Sequence, residues 1–228
     1  MTTNIIKRYL FPHHFRTLLQ SSRILNFEYG LYHTAKTRSC IDNEGNPIPW
    51  YTYPSLEYLR QLDFTGKRVF EYGCGNSTLF WASVSEKVTS VESSQDWANK
   101  IAAIAPPNVE IIVESEEDAF IKAIGKLDES FDVIIIDGEY DRLRCAKEAL
   151  GKAKPGGMLI LDNADFFPNS AKLLRNPTYI EVDFSGFGPI GRHTWTTSIF
   201  LHREFNFPPL GGIQPKHGIG SRKKVRDA

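Results

Sequence analysis

The sequence predicts an α/β fold in which a doubly wound, mostly parallel seven-stranded sheet ends in an antiparallel C-terminal hairpin. Short apolar runs alternate with helical patterns along most of the 228-residue chain, and this alternation is typical of βα units. The runs are almost wholly apolar, as expected for parallel strands that helices cover on both faces. The last two strand-like segments are joined by a Gly- and Pro-rich connection, which does not favour a crossover helix.

The individual elements follow from the same patterns in chain order. Parallel strands are predicted over residues 67–72, 87–91, 109–113, 131–136 and 157–161, with helices over 77–84, 95–104, 116–124, 142–150 and 166–174. Residues 178–184 and 195–202 then form the hairpin. Because ligands of such sheets bind beyond the carboxyl ends of the strands, the residues that follow each strand are the candidates for function.

The chain divides into three segments. The turn-forming stretch 42–47 separates an N-terminal helical or loop extension, residues 1–50, from the α/β domain, residues 51–205, and residues 206–228 are expected to form a basic, flexible tail. No acidic residue precedes Glu28. The basic extension is compatible with a transit peptide or a membrane-surface helix, although a helix that packs on the domain is the simpler interpretation.

Composition and charge exclude several classes of protein. The 27 basic and 27 acidic residues balance, which argues against a dedicated nucleic-acid-binding protein. No apolar run is long enough to span a membrane. The cysteines Cys40, Cys74 and Cys145 are widely spaced, so neither a disulfide framework nor a zinc site is expected. A reducing compartment, the cytoplasm, fits this cysteine usage.

A glycine-containing turn follows the first strand. Gly73 and Gly75 allow the backbone to approach a ligand closely, and the next helix directs its N-terminal amides, near Asn76 and Ser77, to the same place. The third glycine of a dinucleotide-binding pattern would fall at Thr78, so that pattern is incomplete.

Two acidic residues flank this turn in the predicted sheet. Glu71 stands two residues before the first glycine, where a carboxylate would repel a pyrophosphate but suits a cationic ligand. Glu92 ends the second strand, 19 residues after Gly73, and an acid at that spacing commonly holds ribose hydroxyls. Either acid alone also fits a structural role at a strand end.

These features resemble the class I S-adenosylmethionine-dependent methyltransferases over about residues 54–203. The matching segments are the glutamate-led glycine turn, Glu92, and the stretches 131–138 and 154–163, which occur in the family's order. The resemblance implies a Rossmann-like methyltransferase fold for residues 51–205, with S-adenosylmethionine as cofactor. It further implies that Glu71 and the 73–77 loop hold the methionine part and that Glu92 holds the ribose. Ser115 would lie by the adenine, and Asp137 beside the transferred methyl group.

Asp137, Asp162 and Asn163 are expected to cluster at the ends of the fourth and fifth strands. Their oxygen atoms are ligands that Mg²⁺ prefers. The cluster is similar to that of the metal-dependent catechol-type O-methyltransferases, which carry a lysine where this chain has Tyr140. Tyr140 is therefore a candidate base. In the alternative interpretation, Asp162 and Asn163 only turn the chain and Asp137 contacts the cofactor.

Two further segments and Arg142 are candidate parts of an acceptor pocket. The loop 185–192 should hang over the reactive edge of the sheet and bring His193 there as a candidate catalytic base, unless it is a surface histidine. The aromatic stretch 48–54 would either line the pocket or pack its helix on the sheet. Arg142 would bind an anionic acceptor or, more simply, form an ion pair on a helix surface.

The sequence therefore predicts an S-adenosylmethionine-dependent methyltransferase that acts on a small-molecule acceptor by in-line transfer to oxygen, with nitrogen acceptors and a Mg²⁺ requirement left open. An NAD-type oxidoreductase on a similar sheet and a non-catalytic S-adenosylmethionine-binding module are the alternatives. Neither a nucleic-acid partner nor a transmembrane segment is expected, and homo-oligomerisation stays open.

Overall fold

A seven-stranded sheet organises the computed structural model, which describes residues 12–224. Its strands are β1 (Arg68–Tyr72), β2 (Lys87–Glu92), β3 (Val109–Val113), β4 (Phe131–Ile136), β5 (Ala153–Leu161), β6 (Tyr179–Gly186) and β7 (Trp195–His202). They lie in the order β3-β2-β1-β4-β5-β7-β6. The first five strands are parallel, whereas β7 runs antiparallel to both β5 and β6. The predicted fold class, including the terminal hairpin, is confirmed.

Helices connect the strands and extend the domain at its N-terminal side. The α-helices are α1 (His13–Arg23), α2 (Leu31–Thr37), α3 (Tyr53–Leu59), α4 (Asn76–Val84), α5 (Gln95–Ala102), α6 (Glu117–Lys122), α7 (Arg142–Leu150) and α8 (Pro168–Leu174). A π-helical turn, Ile24–Glu28, follows α1, and short 3₁₀ turns lie at Ile124–Lys126 and Leu210–Gly212. Within residues 12–224, no helix combines the length and apolarity needed to cross a bilayer.

The core lies on both faces of the sheet because successive side chains of a strand point to opposite faces. In β4, Ile134 and Ile136 belong to one buried cluster, whereas Val133 and Ile135 belong to the other. All four side chains are fully buried. The uniform apolar character of this strand therefore follows from its central position with packing on both sides.

Among the described residues of the N-terminal segment, those from the π-helical turn onward pack on the domain. None of the α1 residues is buried, so this helix does not pack as the simpler interpretation expected. Leu25, Tyr29 and Leu31 pack against the cluster that contains Ile48. The basic residues Lys7 and Arg8, on which the interpretation of the extension partly rested, lie outside the described residues.

The segment after β7 contacts the domain over much of its described length. Phe207 is buried, the Asp63 amide donates to the Pro208 carbonyl at 2.8 Å, and the Leu210 amide donates to the Gln61 carbonyl at 2.7 Å. Farther along, the Ile219 amide donates to Oε1 of Glu57 at 2.7 Å. The flexible tail expected over residues 206–228 is thus held against α3 and the following loop through Ile219, and Arg226 lies outside the described residues.

Candidate active site

The carboxyl ends of β1, β2, β4 and β5 meet at one edge of the sheet. Glu71 precedes the last residue of β1, Glu92 ends β2, and Asp137 follows β4 directly. Asp162 follows β5, which is the hydrogen-bonded neighbour of β4. The strand order therefore brings the acidic residues that the sequence singled out to a common edge, where ligands of open α/β sheets bind.

The glycine turn after β1 is fixed by hydrogen bonds from two sides. Gly73 has a φ of +94°, a conformation that glycine adopts without strain, and its amide donates to the Val91 carbonyl at 2.8 Å. The Thr78 hydroxyl accepts from the Gly75 amide at 3.0 Å and donates to Oε2 of Glu71 at 2.5 Å. Thr78, noted from the sequence only as a missing glycine, is therefore the residue that ties the turn to β1.

Glu71 lies under the turn and is almost completely buried. Burial raises the pKa of its carboxyl to about 7, while hydrogen bonds from Ser77, Thr78 and Ser90 act in the opposite direction. Its hydrogen-bond partners are hydroxyl groups of the protein. Glu71, which we expected to contact the cofactor, therefore stabilises the glycine turn in this structure.

Glu92 also serves the loop, from the end of β2. Its Oε2 accepts from the Cys74 amide at 3.0 Å, and its Oε1 accepts from the Ser94 amide at 2.9 Å. The indole of Trp97 donates to the Cys74 carbonyl at 2.7 Å. Oε1 also accepts from the Ser93 hydroxyl at 3.2 Å, so the acceptor site left for a ligand hydroxyl is on Oε2.

The other expected cofactor residues differ in where they point. The Asn76 amide group donates to the Ser39 hydroxyl at 3.0 Å and to the Cys40 carbonyl at 2.6 Å, so its side chain binds the N-terminal segment. Ser115 is exposed beyond β3, and its carbonyl accepts from the Tyr140 hydroxyl at 2.6 Å. Tyr140 thereby points toward the end of β3.

A cavity of about 310 Å³ lies beside the ends of β4 and β5. Most of the expected catalytic and metal-binding residues line this cavity, namely Asp137, Asp162, Asn163 and His193. The other lining residues are Trp50, Arg142, Gly191 and Trp195. His193 is placed at this cavity by the connection between β6 and β7, as the sequence led us to expect. Tyr140 does not line it.

Arg142 links the strand ends below the cavity. Its Nε donates to the Gly138 carbonyl, its Nη1 to the Asp162 carbonyl and to Oδ1 of Asn163, and its Nη2 to the carbonyl and Oδ1 of Asp137. These acceptors use all five guanidinium donors. The group also stacks 4.4 Å from the centre of the Phe167 ring. Arg142 is therefore buried and pairs with Asp137, so the expected ion pair on the helix surface is wrong in its location.

A basic residue in the first turn of α7 was the signal that could have revealed this role. Positive charge is unfavourable near a helix N-terminus, so an arginine there suggests a compensating acceptor nearby. The sequence alone did not identify which carbonyls would provide it.

The expected magnesium ligands do not fit a magnesium ion in this arrangement. Oδ1 of Asp137 is paired with Arg142 at 2.9 Å, and Oδ1 of Asn163 faces the same guanidinium. Oδ1 of Asp162 accepts from Nε1 of Trp195 at 3.1 Å and from the Thr197 hydroxyl at 2.5 Å. Across residues 12–224 there is also no group of three His, Cys, Asp or Glu side chains that could hold a metal ion. The cation among these oxygens is Arg142.

The two aspartates carry their charge unequally. Burial, followed by the charge of Asp137, raises the pKa of Asp162 to about 8. Burial also raises the pKa of Asp137, but the Arg142 guanidinium opposes this effect. Because Arg142 contacts the carboxylate of Asp137 and only the backbone carbonyl of Asp162, the guanidinium favours ionisation of Asp137 over that of Asp162.

Comparison with known proteins agrees with a methyltransferase site at this edge of the sheet. A family model described as a methyltransferase domain matches residues 70–164. This stretch contains the glycine turn, Glu92, Asp137 and the Asp162–Asn163 pair. No curated protein sequence is a significant match to the chain.

Solved structures share the fold at low sequence identity. A candidate O-methyltransferase from Klebsiella pneumoniae is 17% identical, with a TM-score of 0.55 over 87% of this chain and 94% of that one. A candidate caffeoyl-CoA O-methyltransferase from Staphylococcus aureus is 16% identical, with a TM-score of 0.53 over 82% and 98%. The O-methyltransferase TomG from Streptomyces achromogenes, involved in tomaymycin synthesis and solved with S-adenosylmethionine, is 17% identical, with a TM-score of 0.51 over 66% and 77%.

The fold and the glycine turn define a Rossmann-like enzyme of the methyltransferase type. The family match covers the same residues, so residues 70–164 are similar to a methyltransferase domain. The NAD-type oxidoreductase considered from the sequence is thereby set aside.

Proposed function

We propose that the chain transfers a methyl group from S-adenosylmethionine to an oxygen atom of a small-molecule acceptor that binds in the cavity beside β4 and β5. The observation that carries this proposal is the meeting of His193, Asp137 and Asp162 around that cavity. Its volume of about 310 Å³ suits a small acceptor.

The residues at the glycine turn fit the proposed methyl donor. A Cβ atom at Gly75 would meet nothing within 4 Å, so there is open space against the backbone of the turn. The α4 amides point to the same space, and Glu92 can accept from ribose hydroxyls. Bound there, S-adenosylmethionine would supply an electrophilic methyl group on a sulfonium. The chain's own contribution is to hold that group beside Asp137 and to exclude water.

His193 is the proposed base for the acceptor hydroxyl. An oxygen acceptor must lose its proton near the moment of attack, and an imidazole can take that proton in the physiological pH range. Asp162 is less suited because it retains its own proton near neutral pH, and Asp137 is held by Arg142. A base at the cavity favours oxygen over a neutral amine, which needs no prior deprotonation. The O-methyltransferase descriptions of the structural neighbours agree with this choice.

Calorimetry separates this proposal from other uses of the fold. The full chain is titrated with S-adenosylhomocysteine and, separately, with NADH. We expect saturable binding of S-adenosylhomocysteine alone. Binding of NADH only, or of neither compound, would contradict the proposed donor site.

The acceptor and the base are tested by methyl transfer to a panel of phenols, catechols, carboxylic acids and amines. We expect turnover with an oxygen acceptor and a fall in kcat of about 100-fold for His193→Ala, the usual scale for loss of a general base. His217→Ala, at an exposed histidine distant from the cavity, is the matched control. Because Arg142 occupies the place of a metal, chelation with EDTA should leave the rate unchanged. Equal kcat for both histidine variants would remove His193 from the mechanism.

A further inference from the structure

Charge is distributed unevenly along a chain that is neutral as a whole. Residues 1–27 and residues 205–226 contain no Asp or Glu, and together they carry nine basic residues. These are Lys7, Arg8, Arg16, Arg23, Lys216, Arg222, Lys223, Lys224 and Arg226. The two basic stretches lie at opposite ends of the sequence, so only the fold decides whether they act together.

The structure brings these two stretches into contact. Gly220 lies so close to Ile24 that a Cβ at Gly220 would meet the Ile24 side chain at 2.7 Å. Residues 217–223 line a common surface depression with Gln20 and Arg23 of α1. The exposed cations Arg222 and Lys223 therefore lie beside α1, and the exposed Lys224 follows them directly in the chain.

Helix α1 also carries an exposed apolar stripe, in which Leu19 lies one helical turn before Arg23. Leu18 and Leu19 are 66% and 54% exposed, and Phe27, in the following π-helical turn, is 61% exposed. Arg16 lies on the same helix, and its first turn contains no acidic residue. None of the α1 residues is buried, while Leu25 anchors the turn that follows to the core. The apolar side chains of α1 are therefore exposed to solvent, while Leu25 holds the end of the helix against the domain.

Of the four acids that the described residues place near this surface, two are in ion pairs. Glu28 pairs with Arg23, and Asp42 pairs with Arg60 at 3.2 Å. Glu57 accepts from the Ile219 amide. Glu44 is exposed nearby, but the three clustered cations at 222–224 outnumber it.

We propose that α1 and the segment 216–224 form a single docking surface for an anionic lipid bilayer. Apolar side chains bordered by basic ones are what a helix lying in the headgroup region requires, and a cluster of Lys and Arg adds attraction to anionic lipid. The leucine stripe selects a bilayer over a nucleic acid, whose phosphates would engage the cations alone. The proposal concerns association with the surface and does not depend on the acceptor of the methyl group.

The test is co-sedimentation of the full chain with two kinds of vesicle. One contains phosphatidylcholine alone, and in the other about a third of the lipid is phosphatidylglycerol. We expect binding to the anionic vesicles, little binding to the neutral ones, and weakening as the salt rises from about 0.1 M to about 1 M, where screening shortens from about 10 Å to 3 Å.

Two sets of variants distinguish the two halves of the surface. Leu18→Glu with Leu19→Glu should weaken binding by at least about tenfold, and replacing residues 222–224 by glutamine should weaken it by about 100-fold. Ile104→Glu and Lys147→Gln, at exposed positions elsewhere, are the controls and should leave binding unchanged.

Several results would overturn the proposal. These are failure of the intact chain to bind anionic vesicles, equal binding to both vesicle types, or equal losses in the control variants. A concentration-dependent dimer in sedimentation velocity that Leu18→Glu dissolves would show that a second copy covers the stripe. Binding to RNA that ignores the leucine changes, with no vesicle binding, would show that the cations serve a nucleic acid.

Discussion

Arg142 shows how a single side chain can decide the chemistry of a site. The carboxyl ends of β4 and β5 present carbonyl and carboxylate oxygens that in principle suit a divalent cation. In this chain a guanidinium lies among them and uses every one of its donors. The positive charge is therefore built into the protein, and the strand ends are joined by it.

Removing this guanidinium should be costly because Asp137 would lose its ion pair and two strand-end carbonyls would lose a donor. We expect Arg142→Met to lower the free energy of unfolding by about 3–5 kcal/mol, the scale for breaking a buried ion pair. Urea unfolding followed by circular dichroism measures this loss.

Arg144→Met is the matched control for this prediction. Arg144 lies two residues away on α7 and makes only exposed ion pairs with Glu117 and Asp118, which contribute little in water. We expect no measurable loss of stability in this variant. Equal losses for the two arginines would show that Arg142 does not hold the strand ends together.

At the scale of elements, the strands could be predicted because their apolar runs reflect burial on both faces. The fifth strand is the exception, since it begins at Ala153, four residues before the predicted start. Its first residues, Lys154-Pro155-Gly156, have the composition of a turn. They enter the sheet through an irregular register between Phe131 and Val133 of β4, a tertiary effect that a local pattern does not report.

The candidate site was predictable to the extent that it lies at strand ends. The common edge of β1, β2, β4 and β5 follows from topology, and so does the approach of His193. The directions of Asn76 and Tyr140 do not follow from it, because they depend on which distant carbonyl lies nearby: Cys40 for Asn76 and Ser115 for Tyr140. Such pairings become visible only when the segments are placed in space.

Helix α2 contacts the connection between β6 and β7, and no sequence pattern predicted this contact. The hydroxyl of Thr34, fully buried in α2, accepts from the Ile190 amide at 2.9 Å. Ile190 has a φ of +63°, which costs energy in a β-branched residue. The connection between β6 and β7, which carries His193, is therefore held in place by α2.

Thr34→Val keeps the shape of this contact and removes its acceptor. We expect the Ile190 amide to exchange with solvent hydrogen at least about fivefold faster, because loss of one hydrogen bond is worth about 1 kcal/mol or more. Hydrogen exchange followed by mass spectrometry measures this rate.

Thr37→Val serves as the comparison for the same experiment. The Thr37 hydroxyl donates only to carbonyls of its own helix, those of His33 and Thr34. This variant should leave exchange in residues 185–194 unchanged. If both variants behave alike in that loop, the Thr34 contact does not restrain it.

For the whole molecule, the buried acids set the dependence of stability on pH. Burial raises the pKa of Glu71 to about 7 and that of Asp162 to about 8. Both values lie above those of an unfolded chain, near 4. The folded state therefore binds more protons than the unfolded state between about pH 4 and pH 8, so this contribution to stability is complete below pH 4 and is lost as the pH rises through that window.

We expect the free energy of unfolding to fall by about 6 kcal/mol between pH 5 and pH 8, at about 1.4 kcal/mol per pH unit for each proton retained. Asp162→Asn imitates the protonated carboxyl and can still accept from Trp195 and Thr197. Its stability should therefore vary less over this range. Urea unfolding at several pH values checks the slopes, and parallel curves for the two proteins would refute the raised pKa of Asp162.

The short stretch from Thr34 to Cys40 touches both halves of the cleft, through Ile190 on one side and Asn76 on the other. If donor and acceptor bind as proposed, we expect exchange of spent donor for fresh donor to be linked to departure of the methylated product. A change that loosens residues 34–40 should then raise both the rate of donor exchange and the rate of product release.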